Sequence, residues 1–255
     1  MREGVMIFMQ ALLSPALLAV AACSPVGSRD TDAAAEERHF VEARQQLADS
    51  ARDYAGPIRE RPDPRIIRAL GTVPRHLFVP ASQRSFAYQD EALPIGEDQT
   101  ISQPSLVALM THLLRPRRND RMLEVGTGSG YQAAILSTLV RHVYTIEIVG
   151  PLARQSARRL GELGYANVTV RHGDGYAGWP QHAPFDGIIV TAGAPHIPQP
   201  LLDQLKPGGR MVIPVGPEGS IQQLKLIRKD AHGKAMEEVI VPVRFVPLTR
   251  GVRNH

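Results

Sequence analysis

The sequence predicts a doubly wound α/β fold, a mostly parallel sheet flanked by helices, with a helical extension at the N-terminus. Three observations carry this reading. Short apolar runs alternate with helix-length amphipathic stretches from Arg121 to Val215, the pattern of consecutive βαβ units. Three glycines, Gly126, Gly128 and Gly130, stand directly between the first of those runs and the helix after it. Acidic residues, Glu124, Glu147 and Asp174, lie at the ends of three consecutive runs, and ligands of open α/β sheets bind at the carboxyl ends of their strands.

In chain order, Arg2 precedes a mostly apolar run from Val5 to Ala22 that ends in Val20-Ala21-Ala22-Cys23. Small residues before a cysteine, after a short apolar stretch, resemble a bacterial lipoprotein signal with its lipid-acceptor cysteine. Gln10, Ser14 and Pro15 interrupt the run and make it a poor membrane-spanning helix. Residues 1–23 are therefore expected to be a signal segment; an upstream start codon adding an unused tail is the alternative. Residues 24–38 are polar and rich in Ala and charge, as a tether would be. Residues 39–81 form an expected helical cover. Its first helix spans 39–53 on Phe40, Val41 and Leu47, and its second opens at Asp63-Pro64 and stops at Gly71.

The remainder, 82–255, is expected to be the main domain. An irregular segment over 88–103 leads into a helix over 105–114. Strands follow at 121–125, 142–148, 168–172, 185–190 and 210–215, with helices at 131–139, 151–163 and 200–205 between them. Runs at 222–228 and 238–245 read as a terminal β-hairpin.

Composition narrows the function classes. With 43% hydrophobic and 21% charged residues the 255-residue chain can bury a normal core. Lys+Arg 29 against Asp+Glu 25 gives a net charge of +4. That excess is scattered, its densest part being Arg115, Arg117, Arg118 and Arg121, so no nucleic-acid partner is expected. One cysteine permits no internal disulfide and no thiolate zinc site, and no metal is expected.

The loop spacing carries the chemistry. A dinucleotide fold uses G-x-G-x-x-G to cradle a pyrophosphate; here the third glycine comes one residue early. Glu124, two residues before Gly126, would repel a pyrophosphate and attract a cation. S-adenosylmethionine carries an ammonium and a sulfonium and no phosphate, so the electrostatics favour it as cofactor over NAD. Glu147, 21 residues after Gly126, stands where an acid can accept both ribose hydroxyls. Asp174, in Gly173-Asp-Gly175, stands where an adenine edge would lie, and is equally a plain turn residue.

Further motifs resemble one family, the protein-L-isoaspartate (D-aspartate) O-methyltransferases. They are Leu93-Pro-Ile-Gly96, Gln99-Thr-Ile-Ser-Gln-Pro104, Leu123 through Gln132, Gly173-Asp-Gly-Tyr176, Phe185 through Ala192 and Arg244-Phe-Val-Pro-Leu248, with Val73-Pro-Arg75 and Phe78-Val79 upstream. The resemblance covers residues 60 to 250. It implies the Rossmann-like fold of S-adenosylmethionine-dependent methyltransferases and methyl transfer to the stray carboxylate of L-isoaspartyl residues in damaged proteins. The methyl ester would then cyclise to a succinimide, whose hydrolysis restores some normal aspartate. By the same resemblance Ser102 is the active-site residue; by local pattern alone it is a helix N-cap. Gly126, Gly128, Gly130, Glu124, Glu147, Asp174, Gly175 and Thr249 fall on the cofactor side, and Thr100, Ile101, Gln103 and Thr191 on the substrate side.

A carboxylate nucleophile is ionised at neutral pH and needs no general base. The histidines, His112, His142, His172, His182 and His196 among them, accordingly read as ordinary surface or loop residues. A cytoplasmic monomer acting on isoaspartyl proteins and peptides is expected, with an exported lipoprotein tethered to a membrane through Cys23 as the alternative. Other readings are a methyltransferase of the same fold for another small substrate, a non-catalytic lipoprotein binding module and an NAD-dependent oxidoreductase.

Overall fold

A computed structural model describes residues 27–53 and 60–251; the apolar run and Cys23 lie outside these residues. The chain divides into two units, one up to Glu37 and one from Arg38 onward. Helix α1 (Gly27–Asp53) runs across that division, so the segment expected to be a tether is helical from Gly27. Ala33-Ala34-Ala35-Glu36-Glu37 accounts for the difference. Ala and Glu are strong helix formers, and polarity alone does not separate a solvated helix from an unstructured tether. In the second unit Phe40 stacks on His76 with ring centres 4.1 Å apart, and Arg44 Nε donates to Gly71 O at 3.1 Å.

Helix α2 (Pro64–Thr72) starts as its sequence dictates. Asp63 accepts from Arg65 N at 2.8 Å as N-cap, and Pro64 occupies the first turn. The helix buries Ile66, Ile67, Ala69 and Leu70. Within the segment expected to be irregular, β1 (Leu93–Gly96) and β2 (Gln99–Ile101) form an antiparallel hairpin. Strands this short show no readable alternation. Their turn also places Glu97 and Asp98 at φ 54°, where Asn-Gly is the usual signal. Helix α3 (Pro104–Leu114) follows at once.

The main sheet has seven strands in the order β5-β4-β3-β6-β7-β8-β9. They are β3 (Arg121–Val125), β4 (His142–Glu147), β5 (Val168–His172), β6 (Phe185–Val190), β7 (Leu205–Val215), β8 (Gln222–Lys229) and β9 (Ala235–Val243). The first five in spatial order are parallel and the last two antiparallel. Helices α4 (Tyr131–Ser137), α5 (Gly150–Glu162) and α6 (Gln199–Gln204) make the crossovers. β7 begins earlier than expected: Lys206-Pro-Gly-Gly209, which reads as a loop, lies inside the strand, with a register shift opposite Phe185–Gly187. From β3 the chain winds outward through β4 and β5, then returns to the other side of β3 as β6. That reversal opens a crevice at the carboxyl ends of β3 and β6.

Both sheet faces are covered, so β3 is buried at four of its five positions. Leu123, Val125, Ile188 and Val190 pack with Leu201, Leu205 and Trp179 on one face. Met122, Val143, Ile189 and Val212 pack with α2, α3 and α4 on the other.

Arg75 lies in this core with no exposed surface. Its Nε donates to Ala87 O at 2.7 Å and Nη2 to Glu91 O at 3.3 Å. Its guanidinium sits 4.9 Å from the centre of the Tyr131 ring, the first residue of α4. Burial works against this charge; two carbonyls and an aromatic face offset part of the cost, while Nη1 has no hydrogen-bond partner among the described residues. Arg75 thereby ties the segment leading to the hairpin onto the helix that follows the glycine loop. Arg75→Ala should lower the unfolding free energy by about 3 kcal/mol or more, because the buried Ala87 carbonyl loses its donor and a cavity remains. Urea unfolding measures this, and an unchanged midpoint would contradict the assignment.

Candidate active site

At the end of β3 the chain must turn sharply beneath its neighbours. Gly126, Gly128 and Gly130 all have positive φ, at 98°, 52° and 90°. A Cβ on Gly126 would come within 2.4 Å of Thr191 Oγ1, so only glycine fits. The loop's amides are engaged within the protein. Gly126 N and Thr127 N donate to Ile146 O at 2.8 and 3.2 Å. Gly128 N donates to Glu147 Oε2 at 2.7 Å, and Val149 N to Glu147 Oε1 at 3.0 Å. The expected approach of loop amides to a ligand is therefore not made by these three. A pyrophosphate site needs such donors free; here an acid takes one of them.

Glu147 is 5% exposed and lines a cavity of about 250 Å³ at the crevice. Gly126, Gly128, Gly175, Thr191, Thr249, Thr100, Ile101 and Ser102 line the same cavity. The structure thus brings together the end of β2, the glycine loop, the end of β4 and the C-terminal segment. Ser102 is partly exposed and has no hydrogen-bond partner among the described residues. Nor does it cap α3. The N-cap position is Gln103, and Ser105 N is satisfied by Asp90 Oδ1 at 2.8 Å. The N-cap alternative for Ser102 is removed by a carboxylate fifteen residues upstream of Ser105.

Four expected site residues stand behind the wall. Gln103 donates through Nε2 to Ser105 Oγ at 2.9 Å and to Asp90 Oδ2 at 3.3 Å. Gly130 packs on α5, where a Cβ would lie 3.1 Å from Leu160 Cδ1. Asp174 accepts from Tyr176 N at 2.8 Å, the turn role its flanking glycines allow. Glu124 is fully buried, with neither carboxylate oxygen hydrogen-bonded. The Thr145 hydroxyl lies near it but is paired with Thr127 Oγ1 at 2.7 Å. Burial pushes the Glu124 carboxyl up to about 8; the Thr145 hydroxyl opposes the rise and the Glu147 carboxylate adds to it. Thr191 lines the cavity, but its hydroxyl donates to Gly126 O at 2.6 Å, so it braces the loop.

Sequence reading missed other parts of the wall. Gln132 is 8% exposed, lines the cavity and donates through Nε2 to Thr111 Oγ1 on α3 at 3.0 Å. Val246, Pro247 and Leu248 form one side of the cavity. They are held by Leu248 N to Gly193 O and Gly193 N to Val246 O, both 2.8 Å, and by Tyr176 Oη donating to Leu248 O at 3.2 Å. No local signal marks contacts spanning more than fifty residues. The acids Asp98, Glu147 and Glu218 line the cavity, while among the described residues no Lys, Arg or His does. Among the described residues there is also no cluster fit to hold a metal ion, and no helix long and apolar enough to cross a membrane.

The pattern described as protein-L-isoaspartate(D-aspartate) O-methyltransferase matches residues 54–253. The chain belongs to this family. A protein-L-isoaspartate O-methyltransferase 2 of Syntrophobacter fumaroxidans is 54% identical over 236 residues, covering 92% of this chain and 94% of the relative. A namesake from Polaromonas is 59% identical over 187 residues, covering 73% and 89%. Among solved structures, a protein-L-isoaspartate O-methyltransferase superposes with TM-score 0.73 at 29% identity, covering 82% of this chain and 67% of that one. The seven-stranded Rossmann-like sheet is thus the fold of the family.

The raised Glu124 pKa has a consequence for stability. The unfolded chain releases this proton near the ordinary carboxylate value, about 4.3, and the folded protein only near 8. Between those values the folded state binds more protons, so stability falls as pH rises through the window. Glu124→Gln should flatten that fall by on the order of a few kcal/mol between pH 5 and 8. Denaturant unfolding across this range checks it, and equal slopes in both proteins would remove Glu124 as the proton carrier.

Proposed function

We propose that the chain methylates the free carboxylate of L-isoaspartyl residues in damaged polypeptides, with S-adenosylmethionine as methyl donor, and so initiates their repair. The observation that carries this reading is one cavity lined both by Ser102, unpartnered among the described residues, and by the loop that Glu147 organises. Membership of the family supports the substrate class.

The residues present fit the cofactor. The lining charges are acidic, which suits a ligand bearing an ammonium and a sulfonium, and the occupied loop amides disfavour a phosphate. Glu147 would take the ribose hydroxyls on lone pairs left over from its two amide bonds. Gly126, Gly128, Gly175 and Thr249 would shape the walls around the cofactor, with Glu124, Gly130 and Asp174 supporting them from behind. When bound, the cofactor supplies a methyl group made electrophilic by a positively charged sulfur.

The chain's own residues have a positional task. The substrate carboxylate needs no base, in keeping with a cavity that no histidine lines among the described residues. The Ser102 hydroxyl would donate to the carboxylate and orient it, with Thr100 and Ile101 bounding the peptide and Gln103 holding the turn. Alignment of this kind can lower a barrier by on the order of 7–11 kcal/mol. Among the described residues no lining cation would grip the carboxylate, so the neutral ester would not be held back.

An isoaspartyl peptide should be methylated and the same peptide with normal aspartate should not. Ser102→Ala should lower kcat by on the order of tenfold or more while cofactor affinity by calorimetry stays unchanged. Methylation of both peptides alike would point to another substrate, and no cofactor binding would remove the enzyme reading. We assign the activity to a cytoplasmic monomer without nucleic-acid partners, because the cofactor is made and used in the cytoplasm. Fatty-acid labelling of cells should then leave the protein unlabelled. Label that vanishes in Cys23→Ala would instead establish the membrane tether.

A further inference from the structure

The basic stretch Arg115-Pro-Arg117-Arg118 takes no part in the reaction site. Arg115 instead lines a second cavity of about 290 Å³ together with Arg210, Arg228, His112, Glu60 and Glu238. This cavity lies at the other end of the sheet from the reaction site. Arg210 of β7 pairs with Gly187 in the first half of β6, whereas the reaction site begins beyond Val190 at the end of that strand. It also lies at the far end of α3, whose first turn follows Ser102 and whose last turn supplies Leu113.

The charges do not balance. Glu60 is paired with Arg115 at 3.3 Å and with His112 Nε2 at 3.2 Å, and Glu238 is paired with Arg228. Three guanidiniums against two carboxylates leave one positive charge over; His112 adds none, because its Nδ1 accepts from Asp63 N at 3.3 Å. That charge belongs to Arg210. Its Nη1 donates to Leu113 O at 3.0 Å, and among the described residues no carboxylate pairs with it. The Leu113 carbonyl, an unsatisfied acceptor at a helix end, accounts for one of five guanidinium N–H groups. The other two guanidiniums of the cavity are held by carboxylates, Arg115 by Glu60 and Arg228 by Glu238, so Arg210 is the one whose charge is left over. Burial first, then the neighbouring Arg115 and Arg228 cations, disfavour the Arg210 charge, and the Glu60 and Glu238 carboxylates offset part of this. Arg117 and Arg118, exposed on the following turn, add charge of the same sign nearby.

We propose that this cavity binds a small oxyanion of the phosphate class. Guanidiniums arriving from three elements, the end of α3, β7 and β8, present planar forks that pair with oxyanions. A tetrahedral phosphate offers more acceptor oxygens and more charge than a single carboxylate. Glu60 and Glu238 hold Arg115 and Arg228 in place and discourage larger polyanions, so the ligand is small.

The test uses the full chain and inorganic phosphate, replaced stepwise for chloride at constant ionic strength, with the thermal unfolding midpoint as readout. The midpoint of the natural protein should rise with phosphate. Arg210→Gln and Arg228→Gln should each weaken the apparent affinity on the order of tenfold, the loss of one charge-assisted hydrogen bond. Arg228 is an exposed strand residue, so its variant decides the matter if loss of the Leu113 bond unfolds Arg210→Gln. No phosphate dependence in the natural protein, or the same dependence in the variants, overturns the proposal. The readout does not depend on methyl transfer, so failure of the activity reading leaves it interpretable.

Discussion

The carboxylate of Glu147, bonded at once to Gly128 N and Val149 N, is the contact on which the site depends. It ties the glycine loop after β3 to the turn after β4, and so fixes the floor of the crevice where the sheet reverses direction. Because the loop's amides at Gly126 and Thr127 are bonded to Ile146 O, this floor offers acceptors and negative charge. A loop of similar sequence with free amides would offer donors and attract phosphate. One side chain therefore helps decide what class of ligand the fold receives.

The walls are then added by distant parts of the chain. Arg75 draws the segment before β1 onto Tyr131, and Asp90 caps α3, which sets the turn that carries Ser102. On the other side Tyr176 and Gly193 hold the segment Val246–Leu248 against the ends of β5 and β6. Gln132 joins the helix of the glycine loop to α3 through Thr111. These few polar contacts hold a small cavity without any cation in its described lining.

Much of the fold was legible because parallel strands buried on both faces are written as apolar runs, and β3 and β6 have the bounds their runs announce. The edge strand β5, with no buried residue, also keeps its expected bounds. The β1–β2 hairpin was not legible, since four- and three-residue strands give no period and Glu97-Asp98 is not a turn signature. The start of β7 was hidden by Pro207-Gly208-Gly209, which tolerates a strand only beside a register shift. At the site, Gly126 and Glu147 were readable from spacing. The bracing role of Thr191 and the place of Gln132 in the wall were not, because each depends on a partner far away in sequence.

By itself the sequence determined the alternation of strands and helices, the positive-φ turn at the glycines, and an acid at the end of β4. All three are properties of short stretches, set by local sterics and hydrophobic period. Tertiary structure alone decided that Ser102 is free of capping duty, that Glu124 is buried with its pKa raised, and that the Val246–Leu248 segment walls the crevice. Those outcomes depend on which groups meet after the chain has folded, and hence on desolvation and pairing that no local window of residues contains.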